Sequence, residues 1–183
     1  MNMRTDVLKS MSREELMDYI RSLLWQYRLV DAFWFIRAEE VHGLPAAEEL
    51  NARVWGKVGQ LSARDLKKRF NITATGLEGF VQTLRLFPWA MMVGYEPRYE
   101  GNELIIEIAE CPAQEGRKKH GLGEYVCKQM HHAEFEMFAQ EVDPRIRVSC
   151  DFAPPDPHPD NMYCRWRFRL EENADKRDED ANK

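Results

Sequence analysis

The 183-residue chain has no apolar run that approaches the roughly 18 uninterrupted residues of a membrane-spanning helix. Its first residues, MNMRTDVLKSMSREEL, also lack the apolar core of a secretory signal. We therefore expect no membrane partner and a cytoplasmic location. In a reducing compartment, the four cysteines are more typical of free thiols or metal ligands than of disulfides.

The chain also has no excess of positive charge. Its formal net charge is -5, and the residues after Leu170 carry -3 of this, with six acidic against three basic side chains. The rest of the chain is close to neutral, which argues against the broad cationic surface that non-specific nucleic-acid binding requires. Nothing apolar recurs after Leu170, so residues 171–183 are predicted to form a disordered, charged tail.

Several common site motifs are missing as well. The sequence contains no G-x-S-x-G, no Walker loop and no G-x-G-x-x-G, so glycine patterns predict no cofactor. The close C-x2-C pairing of structural zinc modules is also absent.

Residues 1–88 have helical periodicity. Ser12 and Glu15 form an S-x-x-E capping box, which predicts a helix from about Arg13. A second helix is predicted from a cap at Asp31 to its end at Gly43, and a third helix has Pro45 in its first turn. A fourth helical segment is predicted between Asn71 and Pro88.

Residues 89–170 change to patterns typical of strands. Two strands surround the turn at Gly101, a loop at 111–123 leads into a helix from about Leu122 to Val142, and two alternating strands follow at 145–152 and 164–170. The predicted fold class is α+β, with an N-terminal helical region packed on a β-β-α-β-β unit whose sheet is mostly antiparallel. We expect the helical region and the α+β unit to form one cooperative domain.

All four cysteines lie in a 54-residue window of the second half. Strands two and three should run in the same direction, because the helix between them returns across the sheet. Cys111, Cys127, Cys150 and Cys164 are therefore predicted at one end of the sheet, where they are candidate ligands of zinc or iron. The alternative is that core-facing cysteines such as Cys150 and Cys164 serve only as small hydrophobic packing residues.

The predicted helix carries Cys127, His131 and Glu134 on one face. As candidate catalytic residues, Cys127 would be a nucleophile, and His131 and Glu134 would transfer protons. The alternative is an unreactive Cys127 packed on the sheet.

Further side chains are candidates for ligand binding. Trp34, Trp55 and Trp89 would line the apolar side of a pocket between the helical region and the open end of the sheet, unless they are plain core residues. His120 and His158 lie in loops that overhang the same end. Five arginines at 145, 147, 165, 167 and 169 point outward from the second hairpin, where pairing with Glu103 and Glu107 is favoured over binding of an anion.

Three segments carry a family resemblance: FWFIRAEEVHGLPAAEELNARVWGKVG, ECPAQEGRKKHGLGEYVC and CDFAPPDPHPDNMYCRWRF. From about Val30 to Phe168 the chain resembles a family of uncharacterised bacterial cytosolic proteins. This group is similar to L-2-amino-thiazoline-4-carboxylate hydrolase-like proteins and, more distantly, to vinyl-reductase-type small-molecule-binding domains. No hydrolase residue can be matched one by one.

Together the residues and the resemblance favour a small-molecule-binding or metal-binding protein. One alternative is a hydrolase of a small cyclic amide or thiazoline-type carboxylate that uses Cys127 or a metal-bound water. Another is a homodimeric interaction protein in which the cysteines are structural.

Overall fold

The computed structural model describes residues 5–171, so the predicted tail lies, from residue 172 onward, outside the described residues. Within this range a short 3-10 turn precedes six α-helices and four strands, and none of the helices is both long and apolar enough to cross a membrane. The helices are α1 (Arg13–His42), α2 (Leu44–Arg69), α3 (Gly76–Leu84), α4 (Pro88–Val93), α5 (Pro112–Lys119) and α6 (Lys128–Val142), and the strands are β1 (Arg98–Glu100), β2 (Glu103–Ile108), β3 (Ile146–Phe152) and β4 (Cys164–Leu170).

The strands form one sheet in the order β1-β2-β4-β3, and all neighbouring pairs are antiparallel. Because β2 and β3 both run antiparallel to β4, they point in the same direction, as predicted. Ile108 at the end of β2 pairs with Cys164 at the start of β4, which defines one end of the sheet. The predicted α+β class with a helical N-terminal region is confirmed.

The first helix begins as predicted but extends further. The Ser12 hydroxyl accepts a hydrogen bond from the Glu15 amide at 3.2 Å, and the Glu15 carboxylate accepts one from the Ser12 amide at 2.7 Å. The helix then runs without a break to His42, so the predicted cap at Asp31 is wrong. The Asp31 carboxylate instead accepts a hydrogen bond at 3.0 Å from the Trp55 indole on α2.

Three other predicted boundaries are wrong for local reasons. Pro88 begins α4 instead of ending a helix, because proline fits the first helical turn, and the strand expected after it is reduced to β1. Pro112 likewise begins α5 within the segment predicted as a loop. The next helix, α6, begins at Lys128 and not near Leu122, which makes Cys127 its N-cap residue.

Helix α6 lies between the sheet and α2. On the sheet side, its Phe135 ring packs against Trp166 and Phe168 of β4, with centroids 5.4 and 5.3 Å apart. On the other side, α2 comes so close that a Cβ atom at Gly59 would lie 2.8 Å from the carbonyl oxygen of Glu134. This contact needs glycine because a larger residue would push the two helices apart.

The opposite face of the sheet carries ion pairs between side chains of different strands. Arg167 contacts Glu103 at 3.1 Å and Asp151 at 2.8 Å, and Arg165 contacts Glu100 at 2.9 Å. These arginines therefore pair with acidic side chains across the strands, as favoured from the sequence.

Candidate functional site

An inner cavity of about 40 Å³ lies at the end of the sheet where β2 ends and β4 begins. The helices α1, α2, α4, α5 and α6 supply most of its wall. Its polar and aromatic lining includes Asp31, Asn51, Trp55, Trp89, Tyr95, Gln114, Tyr125, His131, Glu134 and Tyr163.

A larger outer cleft of about 300 Å³ adjoins this cavity between α1 and α5. Its wall on α1 is mainly apolar and includes Leu29, Phe35 and Ile36. Its opposite wall includes Arg117 on α5 and His120, the C-cap residue of that helix. The two spaces share the lining residues Asp31, Asn51, Trp89, Pro112, Ala113 and Tyr125.

Glu134 is the most unusual residue of the inner cavity. It is only 2% exposed, and its Oε2 atom lies 3.1 Å from Nδ1 of His131. Its Oε1 atom is buried and has no hydrogen-bond partner within residues 5–171. A buried carboxylate oxygen without a partner is costly, so this atom is available to a donor from a ligand.

Asp31 is a second acidic residue in the same cavity. Its pKa is raised from 3.8 to about 6, mainly by burial and to a lesser extent by the nearby Glu134 carboxylate, while the hydrogen bond from Trp55 and the neighbouring His131 act in the opposite direction. The cavity therefore holds two carboxyl groups, and Glu134 disfavours the ionised form of Asp31.

Aromatic rings enclose this acidic space. The rings of Trp55 and Trp89 lie 5.6 Å apart at an angle of 76°, and Tyr27 packs against both of them at 5.9 and 6.3 Å. Tyr95 and Tyr125 line the cavity from other sides and are themselves buried. Burial raises the pKa of both tyrosines well above the ordinary value, so their hydroxyl groups stay protonated.

Gln114 on α5 holds the segment that closes the cavity before α6. Its fully buried amide donates to the Tyr125 carbonyl at 3.0 Å and to the Cys127 sulfur at 3.4 Å, and its carbonyl accepts from the Tyr125 amide at 3.2 Å. These three bonds fix Tyr125 and Cys127 at the cavity wall.

Three of the four cysteines line the inner cavity, namely Cys111, Cys127 and Cys164. Cys111 turns inward because Pro112 begins α5 directly after it. Cys150 lies on the edge strand β3 and does not line the cavity. No group of three or more His, Cys, Asp and Glu side chains within residues 5–171 could hold a metal ion, so the predicted zinc or iron site has no support.

Burial also raises the pKa of every cysteine thiol. It is the largest cause in each case, and it raises the pKa of Cys127 to about 12 and that of Cys150 to about 11. The pKa values of Cys111 and Cys164 are raised for the same reason. Because the thiolate is the reactive form, these thiols are poor nucleophiles at neutral pH, and the catalytic role predicted for Cys127 gains no support.

The remaining candidate residues fall in different places. Trp55 and Trp89 line the inner cavity, and His120 lines the outer cleft. Trp34 is 43% exposed on the outer surface of α1, away from both spaces. His158 lies 3.3 Å from the Glu124 carboxylate and lines neither space.

Sequence reasoning missed six of the ten polar and aromatic lining residues, among them Asp31 and Asn51. Asp31 stands between Val30 and Ala32 in an otherwise apolar stretch of α1, and this isolated acidic position was the available signal. Asn51 had no comparable signal, because a single amide on a helix is ordinary. It is 4% exposed and lines both spaces.

Comparison with known proteins identifies the family of this chain. Residues 9–170 match DUF6125, which is described as a family of unknown function. The chain belongs to the DUF6125 family. No curated protein matches this DUF6125 member. Among solved structures, it is similar to a trafficking protein particle complex subunit 3 from Naegleria fowleri covalently bound to palmitic acid, at 13% sequence identity and a TM-score of 0.49, over 81% of this chain and 95% of that chain.

Proposed function

We propose that this DUF6125 protein binds a small organic molecule in the inner cavity, with part of the molecule in the outer cleft. The observation that carries the proposal is the buried Oε1 atom of Glu134, which lines the cavity and has no partner among the described residues. Leaving such an atom unpaired costs about 1–3 kcal/mol or more for a charged group, and a ligand donor would remove that cost.

The shape and the lining of the two spaces support the same proposal. The outer cleft, at about 300 Å³, is at the lower end of the range of typical small-molecule sites. Most of its wall is apolar, and a few polar groups converge where it meets the inner cavity, among them Asp31 and Asn51. Apolar walls with few directed polar groups are typical of binding sites for organic ligands.

Methyl signals in NMR spectra test the proposal directly. Met130 is 6% exposed and lines the inner cavity, whereas Met91 is 48% exposed and lines neither space. A set of small alkyl and aromatic compounds bearing amine, alcohol or carboxylate groups is titrated into methyl-labelled protein. We expect some members to shift the Met130 methyl signal and leave that of Met91 unchanged.

A blocking variant distinguishes the cavity from other surfaces. Ala113 lies on α5 where the two spaces meet, so Ala113→Trp should fill the junction and abolish the Met130 shift. Lys119→Trp, on an exposed position of the same helix, is the matched control and should bind as the wild type does. If no compound shifts Met130, or if Ala113→Trp binds equally well, the proposed function is wrong.

The hydrolase alternative has one favourable observation, the contact between His131 and Glu134 inside the cavity, which is suited to proton transfer. The protonated Cys127 thiol opposes it. Turnover of a thiazoline carboxylate that Glu134→Gln abolishes would favour the hydrolase, whereas the binding proposal predicts no turnover.

The proposal includes a cytoplasmic location, which the four free cysteines support. In an oxidising compartment, four cysteines would more often be paired as disulfides.

Homodimerisation through α1 is a separate proposal, supported by apolar residues that this helix leaves uncovered. Ile20, Leu23, Val30, Trp34 and Val41 are 43, 44, 70, 43 and 72% exposed. Their spacings of three, seven, four and seven residues follow the repeat of paired helices, so a second copy of α1 is the partner that fits.

Light scattering after size-exclusion chromatography measures this association. We expect a dimer for the wild type and for Gln26→Glu, and a monomer for Leu23→Glu, because Leu23 belongs to the repeat and Gln26 does not. A monomeric wild type would contradict the dimer and leave the cavity proposal unaffected.

A further inference from the structure

The charged groups of the inner cavity are mainly acidic. Asp31 and Glu134 line it, and none of its lining residues within the described range is a lysine or an arginine. His131 is the one basic lining residue, and it contacts only Oε2 of Glu134, which leaves Oε1 unpaired. Two arginines line the outer cleft. Glu39 already pairs with Arg117, with Nη2 and Oε1 3.2 Å apart, and the exposed Arg28 lies near the Pro112 carbonyl, with Nη2 and the oxygen 3.5 Å apart.

Two negative charges in one enclosed space repel each other. The structure shows this effect on their neighbours, since burial, together with Glu134 and then Asp31, raises the pKa of Tyr27. A positive group bound between the two carboxylates would relieve their repulsion and would supply donors to the unpaired oxygen. A bound anion would increase the repulsion.

The aromatic wall of the inner cavity also favours a positively charged group. The Trp55 and Trp89 rings form an edge-to-face pair at 76°, and both residues line the cavity that holds the carboxylates. The hydrogen bond from the Trp55 indole to Asp31 fixes one of these rings. Ring faces attract cations, and tryptophan does so most strongly.

The volumes limit the shape of the ligand. A space of about 40 Å³ has room for about three water-sized groups, which suits an ammonium group with one or two attached carbons. The apolar wall of the outer cleft, with Leu29, Phe35 and Ile36, suits a hydrocarbon extension. A metal ion does not fit, because no three ligating side chains within residues 5–171 converge on one point.

Building on the proposed function, we infer that the ligand is an organic ammonium ion with an apolar tail. Glu134 and Asp31 bind the ammonium group, Trp55 and Trp89 present their ring faces to it, and the tail lies in the outer cleft.

Three probes of equal chain length test the charge: hexylammonium, 1-hexanol and hexanoate. Each is titrated into the full chain, and the Met130 methyl shift gives its affinity. We expect hexylammonium to bind about tenfold more tightly than hexanol, because charge-assisted hydrogen bonds and ring faces act only on the cation, and hexanoate to bind most weakly.

The variant Glu134→Gln removes one charge and keeps the side-chain shape. It should abolish the preference for hexylammonium over hexanol and leave hexanol binding unchanged. Glu136→Gln is the matched control, because Glu136 lies on the same helix with its side chain 43% exposed. If Glu134→Gln does not fold, Asp31→Asn replaces it, since asparagine still offers an oxygen to the Trp55 indole, and it should reduce the preference in the same way.

The outcomes separate this inference from the proposed function. Equal binding of hexanol and hexylammonium, tighter binding of hexanoate, or a preference that persists in both variants would overturn the ammonium ligand and leave small-molecule binding intact. Failure of every compound in the wider set to shift Met130 would overturn both.

Discussion

Replacing Asp31 by asparagine should stabilise the protein at neutral pH. Burial raises the Asp31 pKa from 3.8 to about 6. Between these values the folded chain keeps a proton that the unfolded chain has lost, so stability falls as pH rises through this window. The difference corresponds to a penalty of about 3 kcal/mol at pH 7, and the penalty is absent below the unfolded pKa.

The structure sets the expected size of the effect. Asparagine removes the buried charge and keeps an oxygen that can accept the hydrogen bond from the Trp55 indole, now 3.0 Å from the Asp31 carboxylate. Because a bond to a neutral acceptor is weaker than one to a carboxylate, we reduce the expected gain to about 2 kcal/mol in the free energy of unfolding at pH 7.

Urea unfolding followed by circular dichroism at pH 4, 5, 6 and 7 measures the gain. Asp18→Asn, on an exposed position of the same helix, is the control and should change stability by less than about 0.5 kcal/mol. The gain for Asp31→Asn should grow from near zero at pH 4 to its full value at pH 7. A variant that is less stable than the wild type at pH 7, or a gain that does not change with pH, would refute the reasoning.

Three further predictions concern packing, a partly buried ion pair and the thiols. Gly59→Ala should lower the free energy of unfolding in urea by about 1–3 kcal/mol, because its Cβ would lie 2.8 Å from a backbone oxygen of α6. Gly56→Ala is the control and should change the free energy of unfolding little, because its Cβ would lie 3.4 Å from its nearest neighbour. Equal effects of the two substitutions would contradict the close approach at Gly59. Hydrogen bonds from the Arg145 side chain, and then from backbone amides, lower the Asp143 pKa from 3.8 to about 2. Asp143→Asn should therefore lower the free energy of unfolding by about 2 kcal/mol at pH 7, and this loss should vanish as pH falls from about 4 to 2. A loss that does not depend on pH would show that the charge of Asp143 is unimportant. Among the free thiols, those of Cys127 and Cys164 are buried, and both should react with a disulfide reagent at pH 8 about a hundredfold more slowly in the folded than in the urea-unfolded protein. Rapid labelling of these two thiols in the folded protein would contradict their burial and raised pKa values.

The stability cost at Asp31 bears on function. A protein that buries two carboxyl groups among aromatic rings is less stable than the same protein would be with an apolar cavity of the same shape. Proteins retain such local costs mainly where a site requires them, so the expected gain of Asp31→Asn and the expected loss of ligand preference are two consequences of one arrangement.

Features fixed by neighbouring residues could be predicted from the sequence. The start of α1 followed from Ser12 and Glu15, since a capping box is a contact between residues three positions apart. The strands β3 and β4 followed from the alternation of apolar and polar residues. The common direction of β2 and β3 followed from the single returning connection between them.

Proline boundaries could not be predicted in the same way. Pro88 and Pro112 are compatible both with ending one segment and with beginning a helix, and the chain path after each proline depends on what the next residues pack against. The start of α6 at Lys128, with Cys127 as its N-cap residue, also depends on what these residues pack against and was not predicted.

The sequence by itself determined the α+β class, the two hairpins and the placement of Cys111, Cys127 and Cys164 near one end of the sheet, because these depend on local periodicity and on strand direction. Only the tertiary structure decided that Asp31 from α1 and Glu134 from α6 share an enclosed aromatic cavity. These two residues are more than a hundred positions apart, and the close packing of α2 on α6 through Gly59, with α1 alongside, brings them together. Burial then raises the pKa of Asp31 and leaves Oε1 of Glu134 without a partner among the described residues.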